Sequence, residues 1–78
     1  MKIQILGSGC AKCQTLERLT HHAVDELGLT ADFEKVTDPG EIASWGVMAT
    51  PALVIDDEVV LSGRIPTDDD LRKLLGSR

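Results

Sequence analysis

"LGSGCAKCQT", residues 6–15, sets Cys10 and Cys13 three positions apart at the junction of two different patterns. Before the pair, Lys2 to Leu6 is short, rich in isoleucine and leucine, and halted by Gly7-Ser8-Gly9, which suits a buried strand running into a permissive loop. From Cys13 onward, Leu16, Leu19, Ala23, Val24 and Leu27 recur at three- and four-residue steps, predicting an amphipathic helix of about four turns. Gly28 supplies its left-handed stop. The cysteines therefore sit where a strand delivers the chain to a helix amino terminus. A pair there can be a metal clip, a structural staple or a redox centre.

Working outward, Leu29 to Val36 follows the helix closely and reads as a second strand, with Phe33 and Val36 among polar residues. Asp38-Pro39-Gly40-Glu41 predicts a helix start, with Asp38 as N-cap, Pro39 at the first helical position and Glu41 placed to return the capping bond. That short helix runs to Trp45, before Gly46. Pro51 opens the apolar run Ala52 to Ile55, and Asp56-Asp57-Glu58 separates it from Val59 to Leu61, predicting an antiparallel hairpin. Thr67 then caps a last helix, with Asp68, Asp69 and Asp70 at its positive end, Arg72 and Lys73 later, and Leu71, Leu74 and Leu75 facing inward.

The order is strand, helix, strand, helix, strand, strand, helix, with no repeat, low-complexity segment or linker. A strand–helix–strand crossover is right-handed and leaves its strands parallel. The first strand is then central, with the hairpin antiparallel on its other side. This makes a four-stranded mixed sheet with helices on both faces, an α/β fold expected to form one domain over residues 1–78. The carboxyl end of the central strand is where such sheets commonly place their chemistry.

Charge and size narrow the function. A chain of 78 residues buries roughly 60% of its unfolded surface, which leaves little room for a large ligand cavity. Eight Lys and Arg against thirteen Asp and Glu give a net charge of -5, which opposes nucleic-acid and anionic-lipid binding. The opening apolar stretch is too short for a signal-peptide core, and no run reaches the length of a membrane span. A cytoplasmic location is expected, where structural disulfides are rare and a lone cysteine pair is more often catalytic or metal-binding.

At a helix amino terminus the Cys10 thiolate would face unpaired backbone N–H groups and the positive end of the helix dipole, with the Lys12 charge nearby; all three favour ionisation. Cys13 lies within bonding reach and nearer the apolar face of the helix. The expected division of labour is that Cys10 attacks a partner disulfide and Cys13 displaces the partner from the resulting mixed disulfide. Gly7 and Gly9 would keep the approach open. Pro51, unable to donate within a sheet, marks a strand edge or loop junction; from the residues alone, about 5% of such bonds are cis.

"GSGCAKC" followed by a helix, then "MATPALVIDDEVVLSGR", resembles the thioredoxin superfamily over nearly the whole chain. The order of elements is similar to that of the small thioredoxin-like or glutaredoxin-like redox proteins of archaea and bacteria. The resemblance implies a minimal thioredoxin-like fold and a thiol–disulfide oxidoreductase without a bound cofactor. It also implies attack by Cys10, resolution by Cys13, a cis Pro51 facing the disulfide, and backbone hydrogen bonds from Thr50 to an extended substrate segment. Ala49-Thr50-Pro51 stands beside the Thr-Val-Pro of glutaredoxins. Expected partners are disulfide-bearing proteins and a thioredoxin-reductase-like or small-thiol electron donor, with the chain as a monomer. The chain departs from the thioredoxin pattern in three ways: Gly9 stands for the usual tryptophan, Ala11-Lys12 for Gly-Pro, and Lys2 to Leu6 contains no carboxylate.

The rival is a soft-metal-binding C-x-x-C module. Heavy-metal-associated domains share the opening of this chain but close on a strand, whereas "TDDDLRKLL" predicts a closing helix. His21 and His22 do not complete a zinc site with the cysteines, because eight helical residues from Cys13 span roughly 12 Å; both fall outside the apolar stripe and are expected in solvent. A purely structural disulfide gains little, since closing so short a loop removes little unfolded-state entropy. Trp45, Phe33, Val47 and Leu53 are expected to pack, Asp68 to Asp70 to cap and solvate, and Arg64 to lie on the surface.

Overall fold

The computed structural model describes residues 1–7 and 11–76. Its elements are β1 (Lys2–Leu6), α1 (Ala11–Leu27), β2 (Asp32–Val36), α2 (Pro39–Ser44), β3 (Ala52–Ile55), β4 (Glu58–Ser62) and α3 (Asp68–Gly76). The sheet order is β2-β1-β3-β4, with β1 parallel to β2 and antiparallel to β3. The central position of the first strand, the mixed sheet and the antiparallel hairpin all follow the sequence reading.

Strand alternation divides the core into two layers. Ile3 and Ile5 of β1, with Leu53 and Ile55 of β3, face Leu16, Ala23 and Val24 of α1 and Leu71 and Leu75 of α3. Leu6, Val36, Ala52 and Val54 face the other way, under Ile42, Trp45 and Val47 around α2. Phe33 is half-buried against the first layer, while Leu53 is fully buried within it. A bulge distributes β4 between the layers: Leu53 pairs with Leu61 and Val54 with Val59, so one extra residue lies between the two pairs. Without that insertion Val59 and Leu61 would share a face; with it, Leu61 joins the first layer and Val59 packs on the second.

The helix ends explain where element boundaries fall. Leu27, expected on the apolar stripe, is 36% exposed. The reason is a Schellman motif: Gly28 takes φ +67°, its N–H bonds to the Asp25 carbonyl at 3.1 Å, and the Leu29 N–H bonds to the Val24 carbonyl at 3.0 Å. Leu29 then packs on the first layer, which also moves the start of β2 from the expected Leu29 to Asp32. For α2, the Asp38 side chain accepts from the Glu41 N–H at 3.0 Å. At α3, the Thr67 hydroxyl accepts from the Asp70 N–H at 3.1 Å, and the Asp70 carboxylate accepts from the Thr67 N–H at 3.2 Å. The reciprocal bonds form a capping box, with Asp in place of the usual Glu.

Asp56-Asp57 is a stronger turn than its composition suggests. Both residues have positive φ, 49° and 66°, as a two-residue hairpin turn of type I′ requires. Asp56 also ties the turn to β1: its N–H donates to the Lys2 carbonyl at 2.8 Å, and its carboxylate accepts from the Lys2 N–H at 2.9 Å.

Candidate functional site

Three chain segments converge beyond the carboxyl end of β1. The parallel ladder continues one residue past the strand, with the Gly7 N–H donating to the Val36 carbonyl at 2.9 Å. Gly7 then lies directly against Cys13, in the first turns of α1. A Cβ built on Gly7 would overlap the Cys13 sulfur, would stand 3.3 Å from the Cys13 Cβ, and would reach the Thr50 Cβ at 4.0 Å. Glycine is required here by close approach. The sequence reading gave Gly7 the role of opening the approach to the cysteines; in the structure it makes room for Cys13 itself.

Cys13 is 5% exposed, in keeping with its place on the apolar face of α1. Cys10 lies outside the described residues, as does Gly9. Lys12 is exposed in the first turn of the helix. Thr50 lies close to Gly7, and the Thr50–Pro51 peptide is cis. Pro51 is buried, whereas Ala49 and Thr50 are exposed. The loop is fastened from β4: the Gly63 N–H donates to the Pro51 carbonyl at 2.8 Å, and a Cβ on Gly63 would meet the Ala49 Cβ at 3.0 Å. Gly7, Cys13 and Thr50 therefore form one wall, with exposed Ala49 beside it.

Two depressions flank this wall. One is a pocket of about 60 Å³ bounded by Ile5, Gly7, Cys13, Glu17, Lys35 and Thr37. The other, about 280 Å³ and more open, runs from Ile42 and Val47 to Met48, Ala49 and Thr50. Met48 is 99% exposed. Trp45 packs on the core layer beneath α2.

The other residues weighed in the sequence lie elsewhere. His21 and His22 are exposed; the His21 ring stacks on Phe33 at 3.6 Å, and His22 Nε2 lies 3.1 Å from Glu26. Among the described residues, no group of three or more His, Cys, Asp and Glu could hold a metal ion. Arg64 pairs with Asp70 at 3.3 Å, and the Asp70 carboxyl is held below its usual value by the Thr67 backbone N–H, then by the Arg64 guanidinium. Among the described residues, no helix is long and apolar enough to cross a membrane.

Glu17 and Lys35 were not singled out in the sequence. They pair at 3.0 Å on the wall of the smaller pocket. The available signal was spacing: Glu17 follows Cys13 by four residues and so stands over it on the same helix face.

A four-stranded mixed sheet in the order β2-β1-β3-β4, with a crossover helix that carries a buried cysteine in its first turn, defines the thioredoxin-like class. The family model of the thioredoxin domain matches residues 1–76. A thioredoxin of Methanothermobacter thermautotrophicus is 44% identical over 75 residues, covering 96% of this chain and 97% of that protein. A thioredoxin of Methanocaldococcus jannaschii is 43% identical over 75 residues, covering 96% of this chain and 86% of that one. The chain belongs to the thioredoxin domain family, whose members point to a redox-active thiol module.

Proposed function

We propose that this chain is a cytoplasmic thiol–disulfide oxidoreductase that works as a monomer, its 78 residues forming one domain, and cycles between a dithiol and a disulfide at Cys10 and Cys13. The observation that carries this reading is the placement of Cys13, buried against Gly7 at the start of α1, with Thr50 close to the same glycine. Cys10, three residues earlier and ahead of the helix, is the attacking thiol. Its thiolate is favoured by the helix amino terminus and by Lys12. It opens a partner's disulfide, forms a mixed disulfide and releases the first partner thiolate; Cys13 then attacks the Cys10 sulfur and frees the second. The partner leaves reduced and Cys10–Cys13 is oxidised. A reductase or a small thiol returns the two electrons.

The partner is a disulfide-bearing protein whose extended segment lies along Ala49 and Thr50. These residues are exposed, their backbone would hydrogen-bond the segment, and the groove between Ile42 and Met48 offers an apolar bed. No bound cofactor takes part. The rival metal-clip reading has less support, because the thioredoxin-domain model and both thioredoxin relatives match nearly the whole chain.

Turnover of a small disulfide, with a dithiol as electron source, tests the reading. The wild type turns over, Cys10→Ser is inactive, and Cys13→Ser stalls after one attack. Equal rates in all three, or copper or zinc binding that survives excess glutathione in a protein without turnover, would reject it.

A further inference from the structure

Two large apolar side chains stand exposed among the described residues, Leu27 at 36% and Met48 at 99%. The first follows from the helix stop after α1; the second has no such local cause. Its loop is pinned on both sides: Val47 packs on the layer beneath α2, Pro51 is buried, and the Gly63 N–H holds the Pro51 carbonyl at 2.8 Å. Met48 is thus held outward by its neighbours. A single exposed apolar residue means little alone, but Met48 lines the same groove of about 280 Å³ as Ile42 and Val47, which ends at Thr50. Its thioether is also chemically soft, and hydroperoxides convert it to a polar sulfoxide. The other methionine, Met1, is partly buried against the first core layer.

Resting on the proposed function, we infer that Met48 is an oxidation site through which hydroperoxides withdraw the chain from protein disulfides while sparing small ones. The thioether sulfur attacks the outer peroxide oxygen. The S–O bond forms as the O–O bond breaks, and the leaving oxygen takes up the proton of the transferred hydroxyl. Met48 gives up two electrons and becomes the sulfoxide, while the hydroperoxide becomes water or an alcohol. The added oxygen is a hydrogen-bond acceptor set on an apolar bed, and covering it without a donor is costly. A protein segment lying across Ile42 and Met48 must cover it. A small disulfide that reaches only the thiols does not. Thiol reductants restore the cysteines but leave the sulfoxide, whose removal needs a sulfoxide-reducing enzyme.

The test exposes the Cys10–Cys13 disulfide form to hydrogen peroxide, restores the thiols with excess dithiol, and maps the product by mass spectrometry. One added oxygen should appear on Met48 well before Met1. Turnover of a protein disulfide such as insulin should then show KM raised about tenfold, with turnover of a small disulfide unchanged. Sulfoxide-reducing enzymes should return KM to its starting value. Met48→Leu, compared with its own untreated rate, should lose no protein-disulfide turnover to peroxide. Oxidation of Met1 as fast as Met48, an unchanged KM in the sulfoxide form, or an equal peroxide loss in Met48→Leu would overturn the inference while leaving the two-thiol mechanism standing. An untreated wild type that reduces neither disulfide would overturn both.

Discussion

Gly7 and Cys13 are packed so closely that the smallest side chain at position 7 would overlap the Cys13 sulfur. The carboxyl end of the central strand thus fixes where the buried thiol stands. Gly7→Ala forces Cys13 or the strand end to move. Overpacking of this kind costs about 1–3 kcal/mol. Denaturant unfolding should show that loss, and mixed-disulfide resolution should slow more than the initial attack, because in the proposed mechanism the displaced sulfur is the resolving one.

Gln4 carries the opposite kind of fault. It is 5% exposed on β1, and its side-chain oxygen is buried without a hydrogen-bond partner among the described residues. Its register partner Val54 belongs to the layer beneath α2, so an apolar side chain suits the position. Gln4→Leu removes the unsatisfied acceptor and should raise unfolding free energy by about 1 kcal/mol, with disulfide turnover unchanged. A loss of stability in urea titration would contradict this account of the layer.

In the hairpin, Asp57 holds φ at +66°, a region that costs a side-chain-bearing residue more than glycine. Asp56 is different, because its carboxylate bonds to Lys2. Asp57→Gly should therefore stabilise by up to about 1 kcal/mol, whereas Asp56→Gly should not, as it loses the tie to β1. Thermal unfolding of the two variants side by side is the check.

Asp70 links stability to pH. Its carboxyl is lowered from 3.8, first by the Thr67 backbone N–H and next by Arg64. A depressed carboxyl contributes stability that is fully present above the unfolded value and is lost as pH falls through the folded one. Wild type should therefore lose part of its stability below about pH 4. Asp70→Asn should melt lower at neutral pH and show a shallower decline in acid. The effect should be small, since the group is exposed, and it should shrink in high salt.

The sequence carried the topology because each boundary had a local chemical marker: Asp38 and Thr67 as caps, Gly28 as a stop, and Pro51 at the head of β3. Periodicity separated the α1 face from the strands in the same way. Leu27 and the start of β2 were misplaced because a Schellman motif turns the apolar contact over to Leu29, and that swap depends on backbone geometry rather than composition. The bulge that sends Val59 and Leu61 to opposite layers was likewise hidden, since Val59-Val60-Leu61 is uniformly apolar. At the site, Cys13 and Pro51 were visible as residue types in revealing places. The steric dependence of Cys13 on Gly7, and the reach of Lys35 from β2 to Glu17, arise from contacts between segments distant in sequence.

The central claim concerns which sulfur captures the partner. Cys13→Ser, mixed with a disulfide-bonded peptide and quenched in acid, can be digested and mapped by mass spectrometry. One covalent peptide on Cys10, persisting without resolution, is the expected product, while the wild type passes on to an internal Cys10–Cys13 bond. No adduct in Cys13→Ser, or equally rapid capture by Cys13 in the Cys10→Ser protein, would contradict the account.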